Sequence, residues 1–262
     1  MKNIVITGST RGIGYGLSRQ FLKNGCSVMI NGTTDQSVEQ ALAALRDEFP
    51  ERKIFGLAGN IGYYPDAQRL WENASERLGR IDIWVNNAGI DQVRSYFWEM
   101  EPVDYEKLIN TNIIGVMNGS RAAFIGMQKQ GGGQIFNMEG FGSDGMMREK
   151  MTMYGTSKRA VRYFSRSLAK EAKQTKVQVG TLSPGMVATD LLKKSLAEGG
   201  KEAEQAKRIF NILADEVETV TSYLTEEILK TDKNGAQIEW LTRPKIAWRF
   251  ARSMFTKREI FK

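Results

Sequence analysis

Short apolar runs alternate with segments whose apolar residues recur every three or four positions, and the alternation continues to about residue 190. KNIVIT, CSVMIN, KIFGLA, IDIWVNN, QIFNM and VQVGTLS have the length and apolar character of buried strands. Between them, the periodic segments predict helices over 12–24, 35–48, 65–78, 103–128 and 154–173. In the second of these, Val38, Leu42, Leu45 and Phe49 share one face. Strands this apolar, separated by helices, predict a doubly wound α/β fold with a parallel sheet covered on both faces. Gly131-Gly132-Gly133 reads as a helix-to-strand turn, not a linker, so 1–262 is expected to form a single domain.

Beyond the sixth strand the pattern changes. Residues 189–229 read as consecutive helices, with Leu191, Leu192, Leu196, Ile209, Phe210, Ile212 and Leu213 supplying apolar faces. AQIEWLT is a candidate seventh strand. In the tail over 243–262, Pro244 suits a helix start, and Ile246, Phe250 and Met254 recur every four residues opposite Lys245, Arg249 and Arg252. Such a basic amphipathic helix either docks on its own domain or a partner subunit, with Trp240 and Trp248 as packing anchors, or lies on an anionic membrane surface.

Composition narrows the chemistry. The chain carries no histidine and a single cysteine, Cys26, which excludes His-based triads, His-ligated metals and an internal disulfide. No cluster of carboxylates points to a metal. The formal charge of +7 is concentrated in the tail, where seven cations face Glu259 alone, so basicity belongs to the tail and not to the fold. Nucleic acid is therefore not the expected partner. The apolar start MKNIVITGST is too short for a signal peptide, and no run approaches the ~18 apolar residues of a spanning helix. The expected location is cytoplasmic, with peripheral membrane contact through 243–262 as an alternative.

The candidate chemistry begins directly after the first strand, in TGSTRGIG. Gly8, Gly12 and Gly14 there let the backbone approach a pyrophosphate, which the N-terminus of the next helix attracts. Asn86-Asn87-Ala88-Gly89 follows the fourth strand, Tyr154 and Lys158 stand four apart in a predicted helix, and Ser183-Pro184-Gly185 follows the sixth strand. These four motifs, in this order, resemble the short-chain dehydrogenase/reductase family over residues 3 to about 190. The resemblance implies a Rossmann-like fold binding a nicotinamide dinucleotide. Its expected contacts are Gly8, Ser9, Thr10, Arg11, Gly12, Ile13 and Gly14 in the first turn and Thr33 after the second strand. Asn60, Ile61, Asn87, Ala88, Gly89, Tyr154, Lys158, Pro184, Gly185, Val187 and Thr189 complete the set. The second strand ends in Asn31-Gly32-Thr33 without a carboxylate, and Arg11 is a cation within the glycine turn, so NADP(H) is favoured over NAD(H).

The same resemblance makes Tyr154 the proton donor, Lys158 its partner, and Asn112 the support of a relay to the lysine. An ammonium near a phenol is expected to lower the phenol's pKa. The family's catalytic serine, however, falls on Gly140, beside Glu139, and Ser143 is the nearby hydroxyl able to replace it. IFNMEGFGSDG, SPGMVATDLL and FNILADEVETVTSYL resemble the chlorophyll b reductase branch of the family, which reduces a ring-attached formyl group with NADPH. The expectation is an NADPH-dependent reductase of a bulky carbonyl, with lid helices over about 186–230 and assembly as a homodimer or homotetramer. The Glu139-Gly140 departure keeps open an alternative, a catalytically silent NADP(H)-binding regulator.

Overall fold

The computed structural model describes residues 1–189 and 201–260, with side chains in the second span from 207 onward. Leu191, Leu192, Leu196 and Lys262 thus lie outside the described residues. The strands are β1 (Asn3–Ile6), β2 (Ser27–Gly32), β3 (Ile54–Ala58), β4 (Ile83–Asn86), β5 (Gly133–Met138), β6 (Val177–Ser183) and β7 (Gln237–Glu239). They form one parallel seven-stranded sheet in the order β3-β2-β1-β4-β5-β6-β7. The helices are α1 (Gly12–Lys23), α2 (Asp35–Glu48), α3 (Tyr64–Leu78), α4 (Pro102–Ile109), α5 (Gly115–Lys129), α6 (Thr152–Glu171), α7 (Lys201–Leu213), α8 (Val217–Lys230) and α9 (Arg243–Ser253).

The period of two along each strand divides the core between the two faces. Ile4, Ile6, Val28, Ile30, Ile83 and Val85 pack against Leu17 and Phe21 of α1 and Leu224 and Ile228 of α8. Val5, Met29, Trp84, Ile135 and Val179 pack against Leu70 and Ala74 of α3 and Ala123 and Met127 of α5. Strand order reverses between β1 and β4, which opens a crevice at their C-terminal ends, where this architecture places ligands. The loops after β1, β4, β5 and β6 all reach that edge.

Two expectations change. The single helix predicted over 103–128 is α4 and α5 joined by a π-helical turn, Asn110–Ile114. That extra-wide turn carries the buried Asn112, whose amide bonds to the Ile90 peptide: Oδ1 accepts from its N–H at 2.8 Å, and Nδ2 donates to its carbonyl at 2.9 Å.

The tail docks, but not by the face its sequence pattern predicts. Arg249 is only 8% exposed, whereas Met254 is 75% and Trp248 55% exposed. Trp240 does anchor, stacking at a tilt on Tyr223. The inward face is selected by Asp215, which accepts from Arg249 Nη2 at 2.6 Å, Arg258 Nη2 at 2.7 Å and Trp240 Nε1 at 2.6 Å. The two guanidinium groups also donate to the carbonyls of Ile212, Leu213 and Ala214, at the electronegative end of α7. A buried carboxylate and free helix-end carbonyls outcompete aromatic burial here. Asp215 is in turn joined by backbone hydrogen bonds to Met186 and Ala188, in the segment after β6.

Candidate functional site

The glycine turn after β1 is built for close approach. Gly8 adopts φ +59°, and a Cβ there would lie 2.6 Å from Ala88 Cα. A Cβ on Gly14 would lie 2.4 Å from Gly8 O and 2.5 Å from Asn87 Nδ2. Asn87 Nδ2 donates to Thr7 O and Gly8 O, and Thr7 Oγ1 accepts from the N–H groups of Asn87 and Ala88. The β1 and β4 loops are thereby locked together, which is the fit a pyrophosphate cradle requires. Ser9 is buried and bonds to Ile6 O, while the Thr10 methyl packs over Gly32. Asn31 is spent on structure: Oδ1 accepts from the Gly8 N–H, and Nδ2 donates to Leu57 O and Gly59 O.

The remaining expected cofactor contacts lie around this edge. Arg11, extended and exposed, stands at the start of α1, and Thr33 is exposed past the end of β2. Ile13 packs partly into the core, and Ile61 is buried. Asn60 Oδ1 accepts from the Gly62 N–H, closing its own turn. Pro184 is buried, and Gly185 (φ +69°) rests against Leu241, which a Cβ would approach to 2.5 Å. Val187 bridges to Asp215, and Thr189 N–H donates to Val187 O.

Tyr154, Lys158 and Asn112 converge at this same edge. Lys158 Nζ donates to Met138 O at 3.3 Å and lies 5.8 Å from the centre of the Tyr154 ring. A Cβ on Gly89 would be 3.3 Å from Asn112 Oδ1 and 3.5 Å from Lys158 Nζ, so these two meet beside Gly89, with the Tyr154 ring near the same lysine. Asn112 Nδ2 also donates to Ser157 Oγ on α6. Gln92, which sequence reasoning missed, accepts the Tyr154 N–H on Oε1 at 2.7 Å and caps an otherwise unpaired donor in the first turn of α6.

Electrostatics here run against the sequence expectation. Burial pushes the Tyr154 phenol up, with Asp91 adding to the effect and Arg94 opposing it. Burial also brings Lys158 down to about 8, opposed by Asp91 and Glu139. Loss of water is therefore the dominant influence on both groups. A phenol kept neutral is a proton donor, which suits reduction. Asp91 and Arg94 pair with each other at 2.7 Å beside the site.

Around the absent serine the chain follows a tight path over α6. A Cβ on Gly140 would lie 2.7 Å from Tyr154 Oη, and one on Gly142 would lie 2.6 Å from Gly155 Cα. Ser143 is 4% exposed; its Oγ donates to Glu139 Oε2 at 3.2 Å, and its carbonyl accepts from Arg159 Nη1 at 3.0 Å. Its hydroxyl is thus engaged with Glu139. Arg162 also reaches Glu139 Oε2, at 3.3 Å. Arg162 went unnoticed in the sequence, although its place four residues after Lys158 puts it on the same helix face.

Comparison with known proteins agrees with this geometry. Residues 2–199 match the family model for short chain dehydrogenase. Chlorophyll(ide) b reductase NOL, chloroplastic, of Oryza sativa subsp. japonica is 39% identical over 232 residues, covering 86% of this chain and 66% of that protein. A 3alpha-hydroxysteroid dehydrogenase of Mediterraneibacter gnavus is 33% identical over 244 residues, covering 88% of this chain and 95% of its own length. The chain spans about half to two thirds of the length of the chlorophyll(ide) b reductases it matches. Among solved structures, levodione reductase shares the fold with a TM-score of 0.82 at 20% identity, over 94% of this chain and 98% of that one. The chain belongs to the short-chain dehydrogenase family of oxidoreductases.

Proposed function

We propose that the chain is an NADPH-dependent reductase of a bulky, ring-attached carbonyl, a formyl group or ketone of the kind its chlorophyll(ide) b reductase and hydroxysteroid dehydrogenase relatives are named for. The observation that carries this reading is Lys158 standing near both the Tyr154 ring and Asn112, beside Gly89. NADPH, when bound, supplies the hydride for the carbonyl carbon. Tyr154, neutral through burial, gives its proton to the carbonyl oxygen, so that C=O becomes CH–OH. With glycine at 140, the hydrogen bond to that oxygen falls to Tyr154. The Lys158 ammonium is the source from which the phenolate regains its proton. Asn112 holds the Ile90 peptide and with it the Gly89 backbone next to Lys158. Arg11, exposed at the start of α1, is suited to a 2′-phosphate, in keeping with the absence of a carboxylate at Asn31-Gly32-Thr33.

Two surfaces extend the proposal. Ile114 at the end of the π-helical turn and Met117 and Ile125 of α5 are exposed apolar side chains, suited to pairing with a second copy as a homodimer or homotetramer. No helix among the described residues is long and apolar enough to cross a membrane. The outward face of the tail nevertheless carries Trp248, Phe250, Met254 and Phe255 among exposed Arg243, Arg252 and Lys257, which suits an anionic lipid surface.

The test is NADPH oxidation against aromatic aldehydes and ring ketones, 3-oxosteroids included, with Tyr154→Phe as control. Turnover lost in Tyr154→Phe with NADPH binding retained supports the reading. Tight NADPH binding without turnover of any carbonyl would favour the silent regulator.

A further inference from the structure

The end of β5 is held by α6 at three consecutive residues. Lys158 Nζ donates to the carbonyl of Met138 at 3.3 Å. Arg162, one turn further on, donates to Glu139 Oε2 at 3.3 Å. Tyr154, one turn earlier, lays its hydroxyl against Gly140, where a Cβ would come within 2.7 Å of it. Residues 154, 158 and 162 lie along one stripe of the helix, so the stripe meets the strand end residue by residue.

The middle member has no task in the reaction described above. Glu139 is 3% exposed, and while Oε2 takes hydrogen bonds from Arg162 and Ser143, Oε1 finds no hydrogen-bond partner among the described residues. A buried carboxylate with an unsatisfied oxygen is costly. An apolar side chain would fill the space at lower cost, so the charge itself has a use.

We propose that Glu139 is a positioning residue for the catalytic pair: through Arg162 and Ser143 it fixes the Gly140 backbone against the Tyr154 hydroxyl, and its charge holds Lys158 as the ammonium. The proposal rests on the reductase reading, because it assigns the ammonium a task. The groups facing Lys158 are Asp91 from the loop after β4, Glu139 from β5 and Tyr154 on its own helix. Those facing Glu139 are Arg162 and Lys158 on α6, Ser143, Thr181 on β6 and Glu239 on β7. Arg162 also reaches Glu239, at 3.9 Å, so it joins β5, α6 and β7 at one point. Burial draws Lys158 down toward neutrality, and the two carboxylates oppose it. Removing one should let the amine lose its proton nearer pH 7, where the relay to Tyr154 would fail.

The experiment compares wild type with Glu139→Gln, first without cofactor. The difference in Tm between variant and wild type is followed from pH 6.5 to 9.5, so that other titrating groups cancel. Glu139→Gln should gain relative to wild type just below pH 8, because its Lys158 deprotonates at lower pH than the wild type's. The basic limb of kcat/KM for NADPH-dependent reduction should move down in step, and Glu139→Asp should restore both. Arg162→Met tests the clamp separately: kcat should fall on the order of tenfold with NADPH affinity, read by nucleotide fluorescence, unchanged. Superimposable pH profiles for wild type and Glu139→Gln would overturn the charge role, and an unaltered kcat in Arg162→Met would overturn the positioning role. A wild-type protein that reduces no carbonyl would sink the reductase reading, while the cofactor-free Tm comparison would still report on Glu139 and Lys158.

Discussion

The backbone of Gly140 touches the hydroxyl of Tyr154 so closely that the first carbon of any side chain at 140 would lie 2.7 Å from that oxygen. Serine, the family's residue at this position, therefore does not fit the present arrangement. Gly140→Ser should lower activity and not improve it, because the tyrosine must move, and displacements of this size cost on the order of a hundredfold in kcat. Steady-state kinetics with an accepted aldehyde, alongside NADPH titration, separates this from a binding defect. A Gly140→Ser enzyme as fast as wild type would mean that residues 140–145 readily take another path.

Lys158 should weaken the fold that holds it. Its folded pKa, about 8, lies below the 10.5 of an unburied lysine, so below pH 8 the folded state bears the cost of a buried ammonium. As pH rises above about 8 the folded chain sheds that proton while the unfolded chain keeps it, and stability increases. Above pH 9 the buried Cys26 thiol begins to act in the opposite sense, its folded pKa being raised by burial above a free value of 9.0. Lys158→Met should therefore raise stability at pH 7 by on the order of 2 kcal/mol while abolishing turnover, measurable by urea titration at pH 7 and pH 9. The gain should shrink at the higher pH.

The proposed preference for the phosphorylated nucleotide rests on Arg11. Arg11→Ala should raise the KM for NADPH by on the order of tenfold and leave that for NADH within twofold. Parallel changes for both nucleotides would show that Arg11 acts on the glycine turn as a whole and does not read the 2′-phosphate.

The membrane-facing reading of the tail depends on Trp248 and Phe255, which are 55% and 86% exposed. The full chain should sediment with vesicles containing phosphatidylglycerol and not with phosphatidylcholine alone. A Trp248→Ser, Phe255→Ser double variant should lose this binding while reducing a soluble aldehyde at the wild-type rate. Equal binding to both vesicle types, or none to either, would remove the membrane from the account.

Much of this was legible in the sequence because the signals were local and repeated. Ile4, Val5 and Ile6 followed by Gly8 declare a buried strand and a tight turn within a few residues. Tyr154 and Lys158 share a helix face by spacing alone. What escaped notice depended on contacts distant in the chain. The π-helical turn at Asn112 leaves the apolar period of 103–128 almost unaltered, yet it delivers an amide to Ile90. In sequence Arg162 reads like the exposed cations Arg159 and Arg166 of α6 until Glu139 is placed opposite it. The tail faced the unexpected way because its orientation is decided by Asp215, which in sequence is one of three acids in ILADEVE.

Asp215 also changes what the end of the chain is for. One side chain receives both Arg249 and Arg258, and its own backbone is bonded to the strip that runs out of β6 through Met186 and Ala188. Residues 243–260 thus clasp, through Asp215, the segment that leaves β6. Cutting the chain before Arg249 would strip Asp215 of both guanidinium partners and slacken the strip that leaves β6.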